Sequence, residues 1–200
     1  MTQEPKPKRK RKRKPWNKGQ LIGPKMPLAL KNIRAIRRRL TLESRLRDLV
    51  LFNLAFDSAL RAGDLLQFRV RDICIGQRVA TDIKVSQSAM SRAVQFELSE
   101  ETQKSVSSWI AQENLKPGDY LFPSRISESP HILERHYARI VASWVSQIGL
   151  DPAIYGTESL RRTKPMLIYQ RTKSLEAAQA LLGHARPRST ARFLGVEDKS

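Results

Sequence analysis

Apolar positions fall at helical spacing from Pro27 onward. Leu30, Ile33, Ile36 and Leu40 recur every three or four residues, with Arg34, Arg37, Arg38 and Arg39 between them, the pattern of a helix with one buried face. Thr41 is placed to cap the next helix, with Glu43 in its first turn. That helix is expected to reach about Leu60 through the almost wholly apolar stretch Leu49 to Phe56, and a short helix from about Ala62 to Phe68 follows. The period then changes. Val79, Ile83, Val85, Val94, Phe96 and Leu98 predict a β-hairpin or small sheet over 78–98, with a loop near Ser88–Arg92. Ser99 opens a helix through about Glu113 that buries Val106, Trp109 and Ile110, and Lys116-Pro117-Gly118-Asp119 is a turn signal. Leu133, Tyr137, Ile140, Val141, Trp144 and Ile148 form the clearest helical stripe, ended by Gly149. Further helices are expected after Thr157 and from Ser174 to Leu182, with Gly183 as terminator. No internal repeat is visible. The fold class is therefore mainly α with a small antiparallel β-sheet or hairpin.

Charge adds a tail to this picture. Lys6, Lys8, Arg9, Lys10, Arg11, Lys12, Arg13 and Lys14 sit among Pro5, Pro7 and Pro15, where like charges repel and nothing can form a core. Residues 1–18 read as a disordered polybasic tail, 19–26 as a linker and 27–200 as the folded domain. The tail carries a net charge of +8, which leaves +10 of the total +18 on the remainder, so the folded part is basic too. Such an excess points to polyanions, nucleic acid before anionic membrane. No apolar run approaches the roughly 18–20 residues of a membrane span, and the first residues lack the apolar segment of a secretory signal. Cys74 is the only cysteine, which excludes an intrachain disulfide and a cysteine-based zinc site and suits a reducing cytoplasm.

Three segments carry candidate chemistry. They are Leu60-Arg61-Ala62-Gly63-Asp64-Leu65, Glu158-Ser159-Leu160-Arg161-Arg162-Thr163-Lys164, and Leu181-Leu182-Gly183-His184 with Phe193 nine residues beyond the histidine. Each has an ordinary reading. Arg61 at a helix junction suits a surface or capping arginine, Arg161 beside Arg162 a solvated charge run, and His184 past a helix end a group that offsets the helix dipole. Together, two arginines and a histidine could instead hold one phosphate, whose oxygens guanidinium matches in pairs.

The order and spacing of these segments resemble the catalytic domain of the tyrosine recombinase (phage integrase) family. They resemble most a short bacterial subgroup, often borne on mobile elements, that consists essentially of that domain with a brief basic N-terminal segment. The resemblance covers roughly Trp16 to Glu197. It includes Trp16-Asn17-Lys18-Gly19, Leu51-Phe52-Asn53-Leu54-Ala55, Val94-Gln95-Phe96-Glu97, Leu121-Phe122-Pro123-Ser124-Arg125 and Tyr137-Ala138-Arg139-Ile140-Val141. It implies that fold, double-stranded DNA as partner, no metal or other cofactor, and cleavage by a tyrosine that forms a 3′-phosphotyrosyl bond. In the family two arginines stabilise charge on the phosphate, a hairpin lysine and a histidine assist proton transfer, and a second histidine or tryptophan helps hold the phosphate.

Position by position, Arg61 and Arg161 match the two arginines and His184 the histidine of the Leu-Gly-His block. The rest departs. Phe193 stands at the nucleophile position, Glu158 at that of the first histidine, and Ala89 at that of the hairpin lysine, with Lys84 as a substitute on the same hairpin. Phenylalanine has no oxygen to attack with. A carboxylate at 158 repels phosphate or pairs with Arg161 one turn along. Pro165 falls inside the helix after Thr157 and removes a backbone hydrogen bond, at a cost of about 3 kcal/mol. Tyr155 and Tyr169 match ordinary tyrosine positions rather than substitute nucleophiles.

The resulting expectation is a DNA-binding protein that does not cut alone. Lys8, Arg9, Lys10, Arg11, Lys12, Arg13, Lys14, Arg162 and Lys164 are the expected DNA contacts beside the cradle. The alternatives are a recombination partner that uses a tyrosine from an intact homologue or a second copy, and a regulator or architectural protein that occupies recombination sites.

Overall fold

A computed structural model describes residues 24–86, 93–125 and 128–196. The tail residues Lys8 to Lys14, and Ala89 at the hairpin loop, lie outside them. The described residues are mainly helical, as the periodicity predicts, with two small antiparallel sheets where one was expected.

Helix α1 (Leu30–Leu42) buries Ile33, Ile36 and Leu40 on one face. It runs through Thr41, so Thr41 is not the cap of the following helix. Its hydroxyl instead donates to the Arg37 carbonyl one turn back. The reversal comes at Ser44 (φ +52), and α2 (Leu46–Ser58) starts after Arg45. Asp48, in the first turn of α2, takes up the role expected of Glu43. It accepts from Arg45 at 2.5 Å and from the Trp144 indole at 3.3 Å.

α2 is the centre of the core. Val50, Leu51, Phe52, Leu54 and Ala55 are all buried, and Phe52 meets Trp144 edge-on at 5.7 Å. Each such side chain contributes about 1.5–3 kcal/mol by leaving water. The helix stops at Ser58 rather than Leu60 because Ala59 turns left-handed, at φ +50. α3 (Ala62–Leu66) and α4 (Val70–Ile73) follow.

β1 (Cys74–Ile75) and β2 (Arg78–Val79) form a small hairpin turned at Gly76 (φ +62), which the sequence pattern did not resolve. β3 (Asp82–Ser86) pairs with β4 (Ala93–Glu97) with Ile83 opposite Phe96 and Val85 opposite Val94. Val94 and Phe96 face the core, and Ala93, Gln95 and Glu97 face out.

Ser99 caps α5 (Glu100–Glu113), as expected. α6 (Glu134–Gln147) carries the predicted stripe, and Gly149 (φ +76) lies past its end. α7 (Thr157–Thr172) packs on α2, and α8 (Leu175–Leu182) ends at Gly183. α9 (Pro187–Leu194), which was not foreseen as an element, folds back on α8 and α7. Pro165 sits buried within a continuous α7. Its ring nitrogen cannot bond the Arg161 carbonyl, yet the neighbouring helices hold the element together. None of the described helices is long and apolar enough to cross a membrane.

Candidate functional site

Arg61, Arg161 and His184 come from three different elements and meet at one cavity of about 410 Å³. Glu158, Arg162 and Phe193 also line it. Arg61 is the residue before α3, placed there by the left-handed turn at Ala59. Arg161 and Arg162 project from the second turn of α7. That turn is anchored by Ser159, whose hydroxyl accepts from the Gly156 amide at 3.0 Å. His184 follows Gly183, whose φ of +68 ends α8 and directs the chain toward α9.

Arg161 is only 6% exposed, so it is not part of a solvated charge run. Its Nε donates to the Ala59 carbonyl at 3.2 Å, and Nη1 lies 3.9 Å from a Glu158 carboxylate oxygen. Nη2 is buried and has no hydrogen-bond partner among the described residues. An unmade hydrogen bond on a buried donor costs about 1–3 kcal/mol, more when the donor is charged, so an incoming anion would gain by filling it. Burial is the main influence lowering the Arg161 pKa. Arg61 adds to it, while Glu158 and Asp64 oppose it.

His184 is held from both sides. Its Nδ1 is 3.0 Å from the buried Thr190 hydroxyl, and its carbonyl accepts from Gln179 at 2.9 Å. Burial, then Arg161 and Arg61, lower its pKa to about 4. The imidazole is therefore neutral near pH 7, which removes the reading of a cation that offsets the α8 dipole. A neutral ring can donate to or accept from a bound oxygen through Nε2.

Phe193 packs against both guanidinium groups. Its ring centroid is 4.9 Å from the Arg161 carbon and 5.0 Å from that of Arg162, and 5.5 Å from the His184 ring, edge to face. Arg162 donates to the Phe193 carbonyl and, at 2.7 Å, to the Lys25 carbonyl. This turns Arg162, 5% exposed, toward protein. Lys164 turns inward likewise. It donates to the Asp57 carbonyl at 2.7 Å, and burial lowers its pKa.

Glu158 is half exposed, with its carboxylate toward Arg161 as the one-turn spacing predicted. Lys84 lies on β3 and borders a different cavity, with Asp64 and Asp72. No tyrosine lines the cavity of Arg161 among the described residues. Tyr137 is buried, and burial and then Glu158 push its hydroxyl pKa well up.

Sequence reasoning missed Pro24, Lys25, Ser189 and Arg192, which complete the lining. Ser189 and Arg192 lie four and one residues before Phe193 on α9, so helical spacing would have grouped Ser189 with it had α9 been foreseen. Lys25 left no signal: it reaches the site because residues 24–28 strap across α7. There Met26 donates to the Ile154 carbonyl and Leu28 to the Thr163 hydroxyl.

Residues 28–199 match the profile of the phage integrase family. A probable integrase/recombinase, YoeC of Bacillus subtilis (strain 168), is 27% identical over 170 residues, 85% of this chain and 88% of that one. Two solved structures share the fold. XerH site-specific recombinase bound to difH substrate has a TM-score of 0.68 at 18% identity, over 87% of this chain and 51% of that one. A tyrosine-to-phenylalanine form of the Tn1549 transposon integrase in complex with transposon right end DNA has a TM-score of 0.67 at 13% identity, over 90% and 64%. The chain thus spans about half to two thirds of those two.

Proposed function

Since this chain belongs to the phage integrase family, we propose that it binds double-stranded DNA, seats one phosphodiester at Arg61, Arg161 and His184, and does not cleave on its own. The observation that carries this reading is Arg161, buried with a donor left open beside Arg61 and a neutral His184. Two guanidinium groups supply in-plane donors for phosphate oxygens, and the imidazole supplies a third contact.

Cleavage by the family route needs an oxygen to attack phosphorus as the 5′-oxygen leaves. Phe193 has none, and it is the aromatic residue that lines the cavity. No metal or nucleotide enters this scheme. The Tn1549 transposon integrase, similar in fold, is in complex with transposon right end DNA, which supports DNA as the partner. The XerH neighbour, bound to its own substrate, supports DNA as the partner. The basic residues of the first 18 positions add sequence-independent affinity with steep salt dependence. Arg162 and Lys164, expected as DNA contacts, also serve as internal ties that hold α7.

Of the two roles left for a non-cutting protein, occupancy of recombination sites is the better supported. A tyrosine supplied by an intact homologue or a second copy would have to enter where Phe193 already packs on both arginines. The test is incubation with a nicked suicide duplex. A salt-sensitive shifted complex with no covalent adduct is expected. An adduct formed by this chain alone would overturn the reading, and adducts formed only when an intact relative is added would favour the shared site.

A further inference from the structure

The side chain at position 193 carries no hydroxyl, yet it touches three members of the site, Arg161, Arg162 and His184. The ring lies within about 5 Å of two guanidinium carbons and meets the His184 ring edge to face. Its main-chain carbonyl is a fixed acceptor for Arg162. We propose that Phe193 is a positioning residue for anion binding: its aromatic ring packs on the Arg161 and Arg162 guanidinium groups and leaves Nη2 of Arg161 uncommitted, for a phosphate to engage.

A guanidinium offers hydrogen bonds only in its plane, while its two faces suit an aromatic ring. In Arg161, Nε is committed to the Ala59 carbonyl and Nη1 faces Glu158. Nη2 is the donor left over. An aromatic ring over the plane holds the group without using any of these donors. An aliphatic side chain would fill the space but carry no negative face, and a polar one would compete for the free donor. Arg162 is fixed by the same ring and by two carbonyls, from the strap and from α9, so α9 and the cradle are assembled as one unit. The aromatic character at 193 therefore has a task that is separate from nucleophilic attack.

This inference rests on the proposed phosphate seat, and the experiment separates the two. The full chain is titrated with inorganic phosphate while the His184 imidazole resonances are followed, with His131 and His136 as internal references. Four proteins are compared: the natural chain, Phe193→Tyr, Phe193→Leu, and the chain with pentafluorophenylalanine in place of Phe193. The fluorinated ring keeps an aromatic shape with the sign of its face reversed, so it covers the case in which Phe193→Leu releases α9.

Phosphate should shift the His184 signals saturably in the natural chain and in Phe193→Tyr, with closely similar affinity. Loss of the ring face in the other two should weaken binding about five-fold, the scale of one exposed to partly buried cation–π contact. As a second readout, bound anion offsets Arg161 and Arg61, so the His184 pKa should rise on saturation, and rise less in the two weakened proteins. Equal phosphate affinity in all four would overturn the positioning role alone. Tighter binding in Phe193→Leu would show the ring to be a plug and overturn it as well. No saturable response at His184 in any of them would overturn the phosphate seat, and this inference with it.

Discussion

Arg161 donates through Nε to the carbonyl of Ala59, 3.2 Å away, and Ala59 is a buried alanine in the left-handed region at φ +50. A non-glycine residue in that region costs roughly 1–2 kcal/mol, and such strain persists where surrounding contacts hold it. The turn sets Arg61 two residues on and supplies the acceptor that fixes Arg161, so one backbone feature places both arginines. Arg161→Lys keeps the charge but has no Nε donor and no second in-plane edge. We expect about 1 kcal/mol of lost stability in urea denaturation and a loss of at least about ten-fold in phosphate affinity.

Glu158 is the acid that opposes the cradle. It is half exposed and 3.9 Å from Arg161, so its pairing contributes little to the fold, while its carboxylate would repel a phosphate bound as proposed. Glu158→Gln should leave the melting temperature nearly unchanged. It should tighten DNA binding by about 3- to 10-fold at low salt, an effect of about 1 kcal/mol that shrinks as salt is raised.

His184 makes stability depend on pH. Its pKa is about 4 in the folded chain, against about 6.5 when unfolded. Between these values the unfolded chain binds a proton that the folded chain refuses. The contribution is therefore complete above pH 6.5 and is lost as the pH falls toward 4. Denaturation of the natural chain and of His184→Gln at pH 7 and pH 5 should show a smaller drop in the variant. An equal drop in both would contradict the account.

Much of this was legible in the sequence. Ser99, Gly149 and Gly183 announced three helix ends, and the two-residue alternation of Val94 and Phe96 announced the main hairpin. Thr41 misled because a threonine inside a last turn can bond its own helix as readily as it caps the next. Arg61, Arg161 and His184 were legible as candidates, since order and spacing survive in one dimension. The turning inward of Arg162 and Lys164 was not. Their acceptors are carbonyls of Lys25, Phe193, Asp57 and Glu97, distant in the chain, and a carbonyl carries no residue-type signal.

Adding an oxygen at position 193 is a separate test. Phe193→Tyr places a hydroxyl on a ring about 5 Å from both guanidinium carbons, but on the proposed reading Glu158 and Ala89 would still occupy the places of a histidine and a lysine. Covalent adduct on a suicide duplex is expected only when Glu158→His and Ala89→Lys are added. Adduct from Phe193→Tyr alone would mean that the remaining cradle is sufficient.

Lys173 ends α7 in the left-handed region at φ +58 and is exposed. Lys173→Gly should raise stability by up to about 1 kcal/mol without altering DNA affinity, since the residue lies at the opposite end of α7 from the arginines.

The strap over α7 also limits how far the basic segment can search. Lys14 precedes Pro24 by ten residues, and Pro24 borders the arginine cavity. Ten residues extend at most about 35 Å, close to one turn of duplex. Lys25, Met26 and Leu28 tether this leash to α7 and the loop before it. Lys14 can thus neutralise phosphates only within about a turn of one bound at the arginine cavity. A tail cut at residue 15 should therefore leave a footprint shorter at its edges and unchanged at its centre.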